Sequence, residues 1–364
     1  MSSLVNRNIL KIKPYKPGKP IEEVKREFKL KGPIIKMASN ENTLSPPSRV
    51  ISAIKRNLAG LNRYPDGGCF YLKKELSNKL KLKPENIIVG NGSDELIVLA
   101  LKAFTSGGDE VIIAKPTFLI YEIASMIEGV KIRTVPLRNF KYDLGRMAEC
   151  LNKNTKMVFI ANPDNPTGSF LNRGEIDWFL RKVKTDTIVF FDEAYYEFAR
   201  NLKDYPNTLK YLKKKNIIIT RTFSKIYSLA GLRVGYGLAR KELCEAMNKV
   251  REPFNVNSLA QAAAEAALKD NSFVSKTLKL TNEGKDYLYR NLKSLGYDYV
   301  KSATNFVLTN LGRNSKSIYE KLLRKGIIVR EMSPWGLDGF IRVTIGTMKE
   351  NRRFIKALKE ITLK

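Results

Sequence analysis

Lys225 is the residue of this sequence whose surroundings best suit a nucleophile. It lies in RTFSKIYSLAGLRVGY, between small and hydroxylated residues and a few positions after the apolar run NIIIT. A lysine amine attacks carbonyl carbons readily when burial or a neighbouring cation lowers its pKa, and Arg233, eight residues on, could supply that cation. In a chain with 65 lysine and arginine residues, one lysine alone is more often a solvated charge. The other motifs of the sequence must therefore decide whether Lys225 is a reactive amine or a solvated charge.

Two further segments place polar residues where a predicted strand ends. In IIVGNGSDELI, an apolar strand runs into Asn91, Gly92 and Ser93, and a helix opens at Asp94. Glycine lets the backbone approach a ligand closely, and the free N–H groups of a first helical turn can face an anion. An ordinary turn with a capping serine would give the same pattern. In ANPDNPTG, residues 161–168, two prolines stiffen a polar loop, which suits a site that must hold groups at set positions.

Asp192 ends the apolar run TIVFFD, where a buried carboxylate is costly unless a cation or strong donor meets it. A protonated pyridine nitrogen would serve, and so would a nearby lysine or arginine. Tyr195, three residues further on, can offer a hydroxyl group. The sequence therefore predicts a carboxylate in an enclosed site with a positive partner opposite.

The residue types that are missing narrow the chemistry. The chain of 364 residues has no histidine, which excludes Ser-His-Asp and Cys-His catalysis and imidazole metal ligands and leaves lysine, tyrosine and carboxylates for proton transfer. Cys69, Cys150 and Cys244 are odd in number, far apart and not in C-x-x-C spacing. We therefore expect neither a disulfide framework nor a metal site, and a reducing cytoplasm as the location.

The elements that must position these residues follow an α/β pattern. From about residue 86, short apolar runs alternate with amphipathic stretches, which predicts a mostly parallel sheet whose ligands gather at the carboxyl ends of its strands. After Asn257 long helices begin, with Ser258 and Gln261 at capping-box spacing, and a small α+β unit follows. We expect an N-terminal arm that also contributes to a small domain, a large domain, and a small C-terminal domain, at residues 1–38, 39–260 and 261–364.

These residues together resemble the pyridoxal-phosphate aminotransferases of the aspartate aminotransferase fold, and among them the histidinol-phosphate aminotransferase family most closely. The resemblance covers nearly the whole chain, including MASNENTLSP, RYPDGGCFYLKKELS, GNGSDEL, NPDNPTG, DEAYYEF, REPFNVNSLAQAAA and IRVTIGT. It implies a large domain with a mostly parallel seven-stranded sheet sandwiched by helices, plus a small α+β domain. It also implies amino-group exchange between histidinol phosphate and 2-oxoglutarate, yielding imidazole-acetol phosphate and glutamate, with an aromatic amino-acid aminotransferase and a threonine-phosphate decarboxylase as alternatives.

The resemblance assigns roles around the cofactor, pyridoxal 5'-phosphate. Lys225 would form the Schiff base and then move the substrate proton, Asp192 would face the pyridine nitrogen, and Asn165 and Tyr195 would donate to the ring hydroxyl. Phe118 stands where the family usually has a ring-stacking tyrosine, so the resemblance implies that it stacks on the cofactor ring without supplying a hydroxyl. The phosphate would be held by Ser93, the backbone of Asp94 and Glu95, Ser224, Arg233 and Tyr64 of a second subunit.

Two arginines are candidates for substrate recognition. Arg330 in IIVREM and Arg342 in FIRVTIG each interrupt an apolar strand, where an arginine needs an anion or a carboxylate partner. A salt bridge with Glu331 or another acid is the structural alternative. By resemblance both arginines grip the acidic group of the substrate, and Tyr15 and Asn42 match further substrate-side positions. If Tyr15 and Tyr64 both cross a subunit interface, the active unit is a homodimer.

The net charge raises a competing hypothesis of a different class. At +29, the chain attracts polyanions, and a nucleic-acid-binding protein would show steeply salt-dependent binding and no yellow chromophore. The basic residues are spread along the chain rather than gathered in one arm, so we expect no nucleic-acid partner. No segment approaches the roughly 20 apolar residues of a spanning helix and the amino terminus lacks an apolar core, so we expect no membrane partner.

Overall fold

A seven-stranded sheet forms the centre of the protein, whose computed structural model describes residues 4–362. The described residues form thirteen strands in all, of which β2 to β8 make up this sheet. They are β1 (Ile35–Lys36), β2 (Ile87–Gly90), β3 (Glu110–Lys115), β4 (Lys131–Pro136), β5 (Thr155–Ala161), β6 (Ile188–Asp192), β7 (Ile217–Thr222), β8 (Gly235–Ala239), β9 (Tyr299–Val300), β10 (Phe306–Asn310), β11 (Ile327–Ile328), β12 (Arg330–Glu331) and β13 (Phe340–Thr344). The large sheet has the order β2-β8-β7-β6-β5-β3-β4. Only β8 runs antiparallel to its neighbours there, so the predicted, mostly parallel sheet is confirmed.

Some of the α-helices in the described residues cover this sheet, and others belong to the small assembly described below. The helices are α1 (Ile21–Glu27), α2 (Ser48–Asn57), α3 (Phe70–Leu80), α4 (Ser93–Phe104), α5 (Ile120–Ile127), α6 (Leu144–Glu149), α7 (Arg173–Lys182), α8 (Tyr196–Ala199), α9 (Lys241–Lys249), α10 (Ser258–Leu268), α11 (Asn271–Ser294), α12 (Ser315–Arg324) and α13 (Met348–Thr362). Every residue of β6 and β7 is buried, which requires cover on both faces of the sheet. None of the helices within residues 4–362 is long and apolar enough to cross a bilayer.

A second, smaller assembly follows in the C-terminal part of the chain. Strands β12, β13, β10 and β9 form an antiparallel sheet, and β1 from the amino-terminal segment pairs in parallel with β11. Its core contains Leu288, Val307 and Phe354, and Met37 joins it from the amino-terminal side. The amino-terminal segment therefore contributes to the small assembly.

The predicted domain boundaries stay a prediction, and the packing of α10 bears on one of them. Ala260, Ala263 and Ala264 are buried in the large hydrophobic cluster around the central sheet, and α10 packs on α2 and α3. We therefore propose a boundary after α10 rather than at residue 260. The long helix α11 then leads into the small assembly.

The capping box expected at Ser258 and Gln261 is wrong by one residue. Asn257 caps α10, because its side-chain oxygen accepts a hydrogen bond of 2.8 Å from Ala260 N, and Ser258 lies inside the first turn. The Gln261 amide instead donates to Val256 O and Asp66 O. An asparagine side chain reaches the free N–H groups of a first turn as well as serine does, so spacing alone did not locate the cap.

Candidate active site

A cavity of about 120 Å³ lies where β5, β6 and β7 end and α4 begins. This is the edge of an α/β sheet at which ligands bind. The structure brings nine of the predicted site residues to its wall: Ser93, Asp94, Phe118, Asn165, Asp192, Tyr195, Ser224, Lys225 and Arg233. Segments that are more than 100 residues apart in sequence therefore meet at one place.

Lys225 enters the cavity three residues after β7. Its Nζ lies 3.4 Å from Ser39 O and 5.7 Å from the centre of the Tyr195 ring. Burial lowers the pKa of Lys225 to about 8, and the charge of Arg342 acts in the same direction. Arg233, the cation expected from the sequence, makes a smaller contribution. About a tenth of this amine is uncharged at pH 7, far more than for a lysine in water, and the uncharged form is the nucleophile.

Asp192 ends β6 with both carboxylate oxygens hydrogen-bonded. Tyr121 Oη donates to Oδ2 at 2.6 Å, and Ala194 N donates to Oδ1 at 3.0 Å. Burial raises the pKa of Asp192 to about 6, against the effect of the Tyr121 hydrogen bond. No lysine or arginine among the described residues forms an ion pair with this carboxylate. A positively charged ring nitrogen would supply the missing partner.

The amino terminus of α4 forms one end of the cavity. Ser93 is the first residue of this helix and Gly92, with φ +83°, precedes it, so free N–H groups and the positive end of the helix dipole lie at the cavity wall. Arg233 Nη1 donates to Ser224 Oγ at 3.2 Å, and Arg233 Nη2 lies 3.4 Å from Asp94 Oδ2. A Cβ atom at Gly92 would lie 2.6 Å from Arg233 Nη2. This end is therefore built for an anion such as phosphate.

Glu95 contributes from outside the cavity. Its Oε2 accepts hydrogen bonds of 2.6 Å from Asn91 N and from Asn255 Nδ2. The side chain thereby fixes the turn before α4. The predicted contact of the Glu95 backbone with phosphate stays a prediction.

Asn165 and Tyr195 are held so that each keeps a hydrogen to donate. Asn165 Oδ1 accepts from Arg342 Nη1, which leaves the amide nitrogen of Asn165 as its donor. The Tyr195 hydroxyl accepts from Asn40 Nδ2 at 2.7 Å, and burial raises the pKa of Tyr195, so the hydroxyl keeps its proton at neutral pH. Both groups suit the predicted role as donors to a ring oxygen.

Arg342 and Arg330 are buried cations without an acidic partner in the described part of the chain. Arg342 is 5% exposed, donates to Ala38 O at 3.0 Å, and its Nε has no hydrogen-bond partner. Arg330 is 8% exposed, donates to Lys16 O, and lies 4.8 Å from the centre of the Trp335 ring. The salt bridge considered between Arg330 and Glu331 is wrong. The carboxylate of that glutamate accepts from Ser333 N instead.

Three further predicted residues, like Glu95, Arg330 and Arg342, lie away from the cavity wall. Tyr64 is 83% exposed and stacks on Phe254 with ring centres 4.7 Å apart. Tyr15 is exposed in a groove that Arg330 also lines. Asn42 Nδ2 donates to Ile226 O at 2.9 Å, which holds the residue after Lys225. Their roles toward cofactor and substrate stay predictions.

The sequence analysis missed Tyr121 and Asn40. Tyr121 lies within the apolar face of α5, where an aromatic residue is normally part of the core, and its partner Asp192 is 71 residues away. Asn40 has φ +54° and is buried, and its amide reaches Tyr195 across 155 residues. A buried polar side chain needs a partner, but sequence alone does not name it.

Comparisons with known proteins agree with this geometry. The chain matches the family model "Aminotransferase class I and II" over residues 32–358. It is 48% identical to a histidinol-phosphate aminotransferase of Moorella thermoacetica, covering 97% of this chain and 92% of that protein. The structure of histidinol-phosphate aminotransferase from Sinorhizobium meliloti in complex with pyridoxal-5'-phosphate is 27% identical, with a TM-score of 0.89 and coverage of 99% and 97%. L-threonine-O-3-phosphate decarboxylase from Porphyromonas gingivalis is 26% identical, with a TM-score of 0.80 and coverage of 91% and 100%.

The cavity fits the cofactor that this family uses. One small space is surrounded by the Lys225 amine, an anion-binding helix end, the buried Asp192 carboxylate without a cationic partner, and two hydrogen-bond donors, Asn165 and Tyr195. These are the partners that the aldehyde, phosphate, pyridine nitrogen and hydroxyl group of pyridoxal phosphate require. The chain is a pyridoxal-phosphate-dependent aminotransferase, and it belongs to the histidinol-phosphate aminotransferase family of the class I and II aminotransferases.

Proposed function

We propose that this enzyme transfers the amino group of L-histidinol phosphate to 2-oxoglutarate, forming imidazole-acetol phosphate and L-glutamate in histidine biosynthesis. The observation that carries the proposal is Arg342, a buried cation without an acidic partner in residues 4–362, which donates to Asn165 on the cavity wall. A buried arginine is stabilised by an anion, and its planar fork suits both phosphate and carboxylate. One such group can receive both substrates in turn.

Different residues of the cavity would hold different parts of the cofactor. Lys225 would hold its aldehyde carbon, Asp192 its ring nitrogen, and Ser93, Ser224 and Arg233 its phosphate. Phe118 would cover one face of the ring, without the hydroxyl that a tyrosine would bring. When bound, pyridoxal phosphate supplies a ring that withdraws electrons from the substrate carbon bearing the amine.

Lys225 also suits the proton transfer that this chemistry needs. When it does not hold the cofactor, the Lys225 amine could both accept a proton from the substrate carbon and return it, because burial lowers its pKa to about 8 in the cofactor-free protein. Asp192, with a pKa of about 6, carries its charge at neutral pH, and the hydrogen bond from Tyr121 stabilises that charge. The carboxylate can therefore keep a ring nitrogen protonated while Lys225 moves the substrate proton.

The proposal is tested by comparing amino donors. The purified protein is assayed with L-histidinol phosphate, L-phenylalanine and O-phospho-L-threonine, each with 2-oxoglutarate. We expect kcat/KM for glutamate formation to be highest with histidinol phosphate, by about tenfold or more, because the chain is 48% identical to a histidinol-phosphate aminotransferase over nearly its full length. Faster turnover of phenylalanine would favour the aromatic aminotransferase. Release of carbon dioxide from phosphothreonine would favour the decarboxylase.

We also infer that the active unit is a homodimer located in the cytoplasm. A dimer would give the exposed Tyr64 ring a place in a neighbouring site, as the family resemblance implies. Cys69, Cys150 and Cys244 are free thiols, which suits a reducing compartment. The expected absence of a nucleic-acid partner stays a prediction that a salt-dependent binding assay with DNA and RNA can test.

A further inference from the structure

Arg221 and Glu193 form an ion pair inside the large domain that the chemistry above does not use. Their side chains are 1% and 0% exposed. Arg221 Nε lies 2.9 Å and Nη2 lies 2.8 Å from the same oxygen, Glu193 Oε2. The other oxygen, Oε1, accepts a 2.5 Å hydrogen bond from Thr208 Oγ1, and the guanidinium lies 3.3 Å from the centre of the Tyr196 ring. The pair is therefore fixed by contacts on several sides.

The pair joins the two strands that present the cofactor-binding residues. Glu193 directly follows Asp192 at the end of β6, and Arg221 lies in β7, four residues before Lys225. The backbone hydrogen bond from Glu193 N to Thr220 O, at 2.8 Å, continues the pairing of these strands. Side chains alternate along a strand, and Thr222 faces the cavity, so Arg221 lies one residue out of phase with the cavity wall. Neither Arg221 nor Glu193 lines the cavity.

The energetics of such a pair favour a geometric role over a stabilising one. Removing two charges from water is costly, and apolar residues of similar size often replace a buried ion pair without loss of stability. A directional contact between two side chains does, however, define where two strand ends lie relative to each other. The bond from Glu193 N to Thr220 O is the last backbone hydrogen bond between these two strands in the described residues, so past it the side-chain pair supplies the restraint between the strand ends.

We propose that Arg221 and Glu193 are a positioning pair that sets the separation of Asp192 and Lys225, and through it the reactivity of the Lys225 amine. The proposal rests on the cofactor-binding roles given above to these two residues, and it does not depend on which amino donor the enzyme uses. Neither member of the pair touches the reacting atoms.

The test replaces the pair by apolar residues of similar size, Glu193→Leu with Arg221→Met. The control is Glu110→Leu with Arg133→Met, which removes a more exposed ion pair of 3.1 Å between the neighbouring strands β3 and β4 of the same sheet. Circular dichroism and thermal unfolding establish that each double variant is folded. Replacing both members at once leaves no unpaired buried charge, so the double variant should fold more readily than either single variant.

Two readouts report on Lys225 without substrate. In cofactor-free protein, the pH dependence of Lys225 modification by fluorodinitrobenzene, followed by peptide mass spectrometry, gives the midpoint for this amine. In cofactor-loaded protein, the pH titration of the visible absorption gives a second midpoint. For the Glu193–Arg221 double variant we expect both midpoints to move by about half a pH unit or more and kcat to fall about tenfold, with KM changing less, because misplaced groups slow chemistry more than binding. The control should match the wild type in all three.

A folded double variant with wild-type midpoints and wild-type kcat overturns the proposal. If the double variant does not fold, Thr208→Val decides, because it keeps the ion pair and removes only the hydroxyl that holds Glu193 Oε1. We then expect both midpoints to move away from their wild-type values by a smaller amount than stated for the double variant, and unchanged midpoints overturn the proposal. A wild-type enzyme that rejects histidinol phosphate would refute the proposed function and leave these two readouts intact.

Discussion

Lys225 and Asp192 have pKa values displaced toward neutrality from opposite directions. Burial is the main cause for both, lowering the pKa of the amine to about 8 and raising that of the carboxylate to about 6. Buried groups with displaced pKa values mark sites where chemistry has priority over stability. In the cofactor-free protein each group therefore costs folding free energy in the pH range where it would be charged in water.

Replacing Lys225 with methionine should abolish turnover and stabilise the cofactor-free protein. The lysine pKa falls on folding from 10.5 to about 8, so below pH 8 the folded chain holds a buried charge. Above a pH of about 10.5 the amine is neutral in both the folded and unfolded states and no penalty remains. The rise in melting temperature should thus be largest below pH 8 and shrink between pH 8 and 10.5, as thermal unfolding across this range will measure.

The exposed residue Lys316 offers the matched control for this prediction. Lys316→Met should leave turnover unchanged and give no pH-dependent change in melting temperature. Retained turnover in Lys225→Met would refute the role of this lysine. A stabilisation that is equal at neutral pH and at a pH of about 10 would contradict the assigned burial cost.

Tyr121→Phe should weaken cofactor binding by removing one of the two donors to Asp192. The hydroxyl donates to Oδ2 at 2.6 Å, and a hydrogen bond to a charged group contributes about 1.5–3 kcal/mol. Without it the pKa of Asp192 should rise further, so the carboxylate pairs less well with a protonated ring nitrogen. We expect an increase of about tenfold or more in the Kd for pyridoxal phosphate, measured by absorbance titration.

Tyr142→Phe is the control for the loss of a buried hydroxyl. Tyr142 is also buried, but its hydroxyl contacts Thr117 Oγ1 and Ala161 N and not Asp192. Its replacement should reduce thermal stability with little change in cofactor affinity. Equal losses of affinity in the two variants would show that the effect comes from losing a buried hydroxyl in general and not from the contact with Asp192.

At the scale of elements, β8 brings the backbone of one strand against the start of a helix. A Cβ atom at Gly235 would lie 2.6 Å from Ser93 N and 2.8 Å from the carbonyl carbon of Gly92. The neighbouring atoms belong to the backbone and cannot rotate away. The position of the anion-binding end of α4 therefore depends on the missing side chain at Gly235.

Gly235→Ala should displace the amino terminus of α4 and weaken phosphate binding. Forcing one extra carbon into a packed site typically costs about 1–3 kcal/mol, so we expect the Kd for pyridoxal phosphate to rise about tenfold or more. The Kd for pyridoxal, which lacks the phosphate, should change much less. Gly231→Ala, where a Cβ atom would meet nothing within 4 Å, is the control. Equal weakening for both ligands would place the damage elsewhere in the cavity.

The sequence predicted the elements and the strand ends because those signals are local. GNGSDEL, NPDNPTG and TIVFFD each carry an apolar run and the polar residues that follow it, so each shows its strand end without knowledge of the rest. The contacts of Asp192 with Tyr121 and of Arg221 with Glu193 join residues that are 71 and 28 positions apart. Which buried polar groups pair depends on packing, and a single sequence does not contain that pairing.

At the scale of the whole molecule, several large apolar side chains in and before α3 are exposed on the surface. Leu61, Tyr64, Phe70 and Tyr71 are 56%, 83%, 62% and 68% exposed and lie within eleven consecutive positions of the sequence. Soluble monomers rarely leave a cluster of large apolar side chains in water, so this surface suits a subunit interface. The proposed dimer would cover it and place Tyr64 beside another site.

Mixing two inactive variants tests whether Tyr64 acts across that interface. Lys225→Ala removes the amine from its own site, and Tyr64→Ala should remove a phosphate contact from the site of the other subunit. In a mixed dimer both lesions then fall in one site and the second site is intact, so unfolding and refolding an equal mixture should restore about a quarter of the wild-type activity. If Tyr64 serves its own subunit, every mixed dimer has one lesion in each site and activity stays at the level of the separate variants. Refolded wild type sets the scale, and sedimentation velocity must show dimers in the mixture, in both separate variants and in the wild type.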